Sequence, residues 1–428
     1  MRPGTALFAA SVVGRALAQT VTFDETSQLS FYTGTKTEEV QQGTNLPTGS
    51  YASYSSKITL TGIDTGNPST FTESGSTPTD LSSTTIGANA TETSTTPPEP
   101  TNTQPCNGHV ELCTRRYSNV THVGCHNSPF VRPGNSGSNQ ELPVRAQLDD
   151  GVRFLQAQIQ FPENATEPHF CHTSCDLLDA GPITDWLTEV TNWVRDHPYD
   201  VVTIMLGNGN YSHPSLYAPF IEKSGITRYT YEAPYLPMSL NDWPTLEDMI
   251  VRGKRVVMFL DYEARQEEYP WLLDEFSQMW ETPFDPLDRD FPCTVQRPPD
   301  LSRDAAKNRL YLMNHNLNVE FNVLGISLLV PAVALLNETN AAEGHGSLGL
   351  AANNCRSDWA RAPNILNVDY YNYGDPPGSV FEVAARLNNV TYDWNCCSTT
   401  SAASPSLRLA GFLMTIVPGL LSATILVL

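Results

Sequence analysis

Cations are scarce in this chain. It holds 25 Lys and Arg against 46 Asp and Glu, a formal net charge of −21. Phosphate backbones are gripped by Lys and Arg, so nucleic acid is not an expected partner. The same shortage argues against simple electrostatic docking on anionic lipid. The chain has no Gly-rich phosphate loop and no internal repeat. It has no Cys-x-x-Cys pair accompanied by a His pair at zinc spacing, so no structural zinc is expected. Neither a cofactor nor a bound metal is implied.

The two ends are informative. The chain opens MRPGTALFAASVVGRALAQT, with Arg2, an apolar run from Ala6 to Val13, and small residues at Ala16-Leu17-Ala18. That is the layout of a signal peptide over residues 1–18, although Arg15 lies close to the cut. The apolar run is far short of the ~20 residues of a membrane span. At the other end, Leu409 to Leu428 carries no charge, and Ser398, Ser401, Ala402 and Ala403 lie upstream. Small residues, a short spacer and an apolar tail form a GPI-attachment signal over residues 398–428. The expectation is a secreted, extracellular protein, held at the plasma membrane or cell wall by a lipid anchor, and monomeric.

Six sequons agree with export: Asn89, Asn119, Asn164, Asn210, Asn337 and Asn389, whereas Asn67 is followed by Pro68. Nine cysteines in an exported chain point to disulfides. The short loops Cys106/Cys113 and Cys171/Cys175 are natural bridges, and Cys293 can join Cys355. The adjacent Cys396 and Cys397 are expected to pair elsewhere or be strained. The odd count leaves one thiol, for which Cys125 in an apolar strand is the candidate.

Residues 19–105 do not read as a packed domain. From Thr61 to Pro105, 20 of 45 residues are Ser or Thr, and the stretch ends TTPPEPTNTQP. Such a composition buries little apolar surface and suits a largely disordered, O-glycosylated stalk. Some strand-like alternation in residues 19–60 allows a small β element. At Cys106 the composition changes. Residues 106–397 alternate strand-like runs with amphipathic stretches. The strands are expected at Asn119–Cys125, Val152–Phe161, Val201–Leu206, Arg255–Tyr262, Arg309–Met313 and Ile365–Tyr370. Helices are expected at Pro182–Arg195, where Trp186, Val190 and Trp193/Val194 recur at helical spacing, and at Leu246–Val251 before Gly253. This alternation predicts an α/β fold with a parallel sheet, and the length suits a TIM-like barrel.

In such a barrel, chemistry sits where strands end. His126, Asn127 and Ser128 follow the first run, Gly207 and Asn208 the third, Asp261, Tyr262 and Glu263 the fourth, and Asn314, His315 and Asn316 the fifth. Asp369 lies in the last. Gln156, Gln158 and Gln160 share one face of their strand, an odd choice for a dry core. His172 follows in HFCHTSC. Two histidines can serve as base and acid in phosphodiester cleavage, and a carboxylate can orient the base. Asp369 is the candidate orienting group. Each has a plainer reading: strand-end histidines are commonly structural, and Asp261 and Asp369 can cap helices or pair with arginines.

The segments YSNVTHVGCHNSPFV, LDDGVRFLQAQIQF and HFCHTSCDLLDAGPITDWLTEVTNWVRDHPYDVVTIMLGN resemble the PLC-like phosphodiesterases secreted by fungi, within the superfamily of the phosphatidylinositol-specific phospholipase C X domain. The similarity spans roughly residues 106–397 and is densest from Tyr117 to Asn208. It implies a distorted TIM barrel that forms a cyclic phosphodiester by internal attack. Gly124, His126, Asn127 and Ser128 match the G-x-H-[DN]-S motif, making His126 the expected general base and His172 the general acid. The resemblance has gaps. Bacterial relatives carry an arginine on the second strand, where Gln158 stands here. Calcium-dependent relatives carry acids at positions that read Gln156, Gln158 and Gly207. Of those ligands Asn127 alone remains, and neutral amides hold calcium poorly. Lys254, Arg255 or an imidazolium would have to replace the missing charge. Asn127, Gln156, Gln158, Asp261 and His315 are the expected substrate-binding residues.

Three functions compete. The first is a metal-independent phosphoric diester hydrolase acting on a phosphoinositide- or GPI-like lipid or its head group, with a role in lipid metabolism. The second is a weak or inactive barrel kept as a surface-binding or wall-associated module. The third is a glycoside hydrolase built on strand-end acids such as Asp261 and Glu263, which no motif supports.

Overall fold

A computed structural model describes residues 51–54, 56–60, 104–323, 326–393 and 396–397. Its centre is an eight-stranded, all-parallel sheet: β1 (His122–Cys125), β2 (Phe154–Gln160), β3 (Val202–Gly207), β4 (Val256–Leu260), β5 (Leu273–Asp274), β6 (Met279–Glu281), β7 (Leu310–Asn314) and β8 (Ile365–Val368). The spatial order is β6-β7-β8-β1-β2-β3-β4-β5. Read around the curl, this is chain order. The two edges, β5 and β6, are consecutive in the chain, joined by one buried helical turn, Glu275–Gln278. The fold is therefore an α/β TIM-type barrel, incompletely closed between β5 and β6.

The apolar runs explain the strands. β4 (VVMFL) and β7 (LYLMN) are buried at every position, as parallel strands covered on both faces should be. The helix Ile183–Asp196 buries Ile183, Leu187, Val190, Trp193 and Val194, the 3.6-residue stripe that packs on the sheet. Trp186, expected in that stripe, lies at its edge with its ring against Phe170 at 5.2 Å. Each large apolar side chain so buried contributes roughly 1.5–3 kcal/mol. Gly124 is required where β1 meets β2, because a Cβ there would lie 2.8 Å from the Phe154 ring.

Two antiparallel hairpins decorate the barrel's C-terminal end: His169–His172 with Leu178–Pro182, and Asn318–Val323 with Ile326–Pro331. Disulfides join Cys106–Cys113, Cys171–Cys175 and Cys293–Cys355, and Cys125 is free and buried. Cys396 and Cys397 pair with each other, not with a distant cysteine, since every other cysteine is either paired or sealed in β1. Of the sequon asparagines, Asn119, Asn164, Asn210, Asn337 and Asn389 are exposed. Asn89, the leader, residues 61–103 of the stalk and the anchor signal lie outside the described residues. Among the described residues, no helix is long and apolar enough to cross a membrane.

Part of the segment assigned to the stalk belongs to the barrel. Ile58–Thr59 pairs antiparallel with Tyr235–Leu236. Leu60 is buried, and the Tyr51 ring packs on Tyr262 and Phe276 at 5.5 and 4.9 Å. Residues 51–60 hold Tyr51, Tyr54, Ile58 and Leu60 within ten positions, a far higher density of aromatic and branched aliphatic side chains than the Ser/Thr-rich stretch after them.

Candidate active site

A cavity of about 370 Å³ opens at the C-terminal ends of the strands. β1 and β8 run parallel, with Cys125 opposite Val368. The next residues, His126 and Asp369, therefore emerge side by side. The His126 backbone N–H donates to Val368 O at 2.9 Å, and the Gln140 amide bridges the oxygens of both residues. The His126 Nδ1–H donates to Asp369 Oδ1 at 2.8 Å. Asn139 Nδ2 donates to the same oxygen at 2.9 Å. A carboxylate held this way fixes the tautomer of the imidazole and leaves Nε2 free.

His172 comes from the hairpin beside β2. Its Nδ1–H donates to Gly137 O at 2.6 Å, and its ring stacks on Phe130 at 5.1 Å. Burial, then the neighbouring His126, pushes its pKa down to about 4. Both imidazoles line the one cavity.

Gln156, Gln158 and Asn127 line it too. Gln156 Oε1 accepts from Asn367 Nδ2 at 2.8 Å, which also donates to Asn314 Oδ1 at 3.2 Å, making an amide floor from β2, β7 and β8. Asn127 is 1% exposed, and neither atom of its amide has a partner. It adopts φ 50°, a left-handed conformation that Asn tolerates. Gln160 turns to Cys171 O and Thr173 O beyond the rim.

Asp261 sits on the facing wall. It accepts the backbone N–H groups of Asn208 and Tyr262 at 2.7 and 2.8 Å, and faces Arg297 at 3.6 Å. Desolvation outweighs these contacts and lifts its pKa to about 6. Burial does the same to Asp285, on the same cavity. Arg297 and Asp285 are the functional candidates that sequence reasoning missed. Arg297 is 6% exposed. It binds Glu281 Oε2 at 3.1 Å and donates to Tyr262 Oη at 2.9 Å, while its Nε is unpartnered.

Two expectations are corrected. His315 does not reach the cavity. It is buried, with Nε2 at 2.9 Å from Thr339 O and its ring on Phe291 at 3.7 Å. Asn314 points inward, so the next residue points out. Lys254 and Arg255 precede β4 and lie at the opposite end of the barrel, where Arg255 is tied to Val194 O and His197 O. Neither can replace the missing charge. As for a metal, the described carboxylates, histidines and cysteines of the cavity form no group with ligand spacing.

The sequence matches the family profile described as PI-PLC X 1 over residues 112–388. The chain belongs to the PI-PLC X family. It is 52% identical over 332 residues to an "Uncharacterized secreted protein" of Arthroderma benhamiae, covering 77% of this chain and 75% of that one. It is 43% identical over 272 residues to "PI-PLC X domain-containing protein 1" of the same organism, covering 63% and 86%. A solved phosphatidylinositol-specific phospholipase C from Listeria monocytogenes aligns at a TM-score of 0.41 and 15% identity, over 65% of this chain and 96% of that one.

Proposed function

We propose that this protein is a secreted, GPI-anchored phosphoric diester hydrolase that cleaves a phosphoinositide- or GPI-like phosphodiester without a metal. The observation that carries this reading is the His126–Asp369 pair, 2.8 Å apart, on the same cavity as His172. His126 Nε2 takes the proton of the sugar hydroxyl that attacks phosphorus. His172 gives a proton to the leaving alcohol oxygen. A cyclic phosphodiester forms, and water opens it by the reverse proton transfers. The bound phosphate anion raises the pKa of His172, which burial holds low in the empty cavity. Arg297 is the cation on the facing wall. The relative's printed description as secreted supports export of this chain as well.

A second reading has its own observation. Gln158 lines the cavity where bacterial relatives carry arginine, and Arg297 is already paired with Glu281. A barrel so equipped can bind without turnover. Hydrolysis of a panel of inositol phosphodiesters by residues 19–400 decides, run with EDTA, with added calcium and with His126→Ala beside it. Turnover that survives EDTA and disappears in the variant supports the enzyme. Calcium-dependent turnover overturns the metal-free mechanism. Binding without turnover, unchanged in the variant, establishes the binding module.

A further inference from the structure

A second cavity lies at the other end of the barrel, under the first residues of β1 and β8. It measures about 540 Å³, within the range of small-molecule sites. Three arginines line it, Arg115, Arg116 and Arg361. In a chain of net charge −21 such a gathering is unexpected.

The three are anchored only to neutral acceptors. Arg115 Nη1 donates to Asn388 O at 2.6 Å, and Arg116 Nη1 to Trp243 O at 2.7 Å. Arg361 Nη1 donates to Asn364 Oδ1 at 3.1 Å, and its Nη2 to the main-chain oxygens of Ala306 and Arg309. Its plane lies over Tyr311 at 4.4 Å, and its buried Nε has no partner. Among the described residues, none of the three is ion-paired with a carboxylate. Arg153, Arg297 and Arg386 show the usual arrangement, each within 3.1 Å of one. Burial pulls the pKa of Arg361 down to about 10, as expected where no carboxylate offsets desolvation. These contacts orient the forks and leave their charge unanswered. Planar guanidinium forks match the oxygens of a phosphate. The remaining space, lined by Thr114 and Asn241, exceeds what a phosphate ion fills and offers hydroxyl and amide partners.

We infer that this cavity is a second ligand site, independent of the histidine cavity, that binds a phosphate group carried on a sugar-sized polar molecule. Calorimetry tests it on the secreted chain after removal of N-glycans, since Asn119 lines the cavity. The probes are glucose 6-phosphate and inorganic phosphate at fixed ionic strength, with glucose and chloride as blanks. Glucose 6-phosphate should bind, and Arg116→Gln/Arg361→Gln should weaken it about tenfold or more, the loss of about one charge-assisted contact. Arg297→Gln, at the opposite end, should leave it within about twofold. Inorganic phosphate binding as tightly would make free phosphate the source; weaker binding assigns the sugar phosphate. No binding of either probe overturns the inference, as does a loss that follows Arg297 instead of the lower arginines. Should the double variant not fold, Arg116→Gln alone decides, because that side chain is exposed: weaker binding supports the site, and unchanged affinity overturns it.

Discussion

The two walls of the upper cavity are built differently. On one, a single carboxylate, Asp369, answers a single imidazole, with Asn139 sharing the load. On the other, Asp261, Glu281 and Asp285 surround a single guanidinium, with Glu275 buried behind them and its carboxyl pushed well above the usual range by that burial. The first wall is arranged for proton transfer, since Asp369 orients the His126 ring through Nδ1 and leaves Nε2 free beside the cavity. The second is arranged around fixed charge and carries more acid than base. Under the proposed function, an anionic phosphodiester lies between them. On this reading the imidazole wall determines the rate and the arginine wall determines affinity and pH range.

Variants can break that division. Replacing either imidazole should have the largest effect. His126→Ala and His172→Ala each remove a proton carrier, and turnover should fall by about 10²–10⁴, with near-ultraviolet dichroism confirming the fold. Asp369→Asn comes next. The Asn amide can donate to Nδ1 and favour the wrong tautomer, so kcat should drop about 10²–10³ with KM little changed. An equal rise in KM would show that Asp369 holds substrate and not His126.

Arg297→Gln probes the other wall. Losing its charge should raise KM and lower kcat/KM by about 10–10². It should also destabilise the chain by about 3–5 kcal/mol, because Glu281 would be left buried without its partner. A drop in stability with kcat/KM unchanged would make Arg297 purely structural and strengthen the binding-module reading.

The pH dependence separates the walls again. Asp261 and Asp285 are both pushed up to about 6 by burial. Below that value they are neutral, and above it they add negative charge beside the phosphate site. KM should therefore rise several-fold as pH rises through about 6. Stability follows with the sign worked out. A carboxyl with a raised folded pKa favours the native state below its unfolded value, near 4, and loses that contribution as pH climbs to 6. Asp274, also raised to about 6, adds to this. The buried neutral imidazoles His122, His172 and His315, lowered to about 3, 4 and 3, act in the opposite sense and cost stability as pH falls below 6.5. Glu275, pushed well above the usual range by burial, joins the carboxyls, so they outnumber the three opposing imidazoles. The melting temperature should therefore fall gently as pH rises from 4 to 6, and a rise over that window would show that one set has been misjudged.

The imidazole wall was the legible one. It is made where parallel strands end, and the G-x-H-N-S motif, the His172 segment and the strand-end Asp369 are all local signals. The long apolar strands β1–β4, β7 and β8 were legible for the same reason. β5 and β6 were not, because Leu273–Asp274 and Met279–Glu281 are too short to show a period and end in acids. Arg297 comes from an irregular loop, QRPPD, that pairs back on Glu281 through long-range contacts. No pattern marks such a residue. His315 is a different case. It was misplaced because position at a strand end was used without parity, and Asn314 already occupied the inward place.

The smallest expected effect tests whether the arginine wall extends to the N-terminal strap. Tyr51 Oη lies 3.1 Å from Tyr262 Oη, which in turn accepts from Arg297 Nη2. Tyr51→Phe removes that hydroxyl and leaves the ring packing on Phe276 in place. It should cost about 0.5–1.5 kcal/mol of stability, the net value of one hydrogen bond. Its effect on kcat/KM should stay below about threefold, because Glu281, the Tyr262 hydroxyl and the rings of Tyr262, Phe276 and Phe284 still hold the guanidinium. The two variants then form a cycle. Additive effects of Tyr51→Phe and Arg297→Gln on KM would confine the wall to the barrel. A Tyr51→Phe effect that vanishes in the Arg297→Gln background would mean that the strap reaches substrate through the arginine, and the arginine wall would then begin at residue 51.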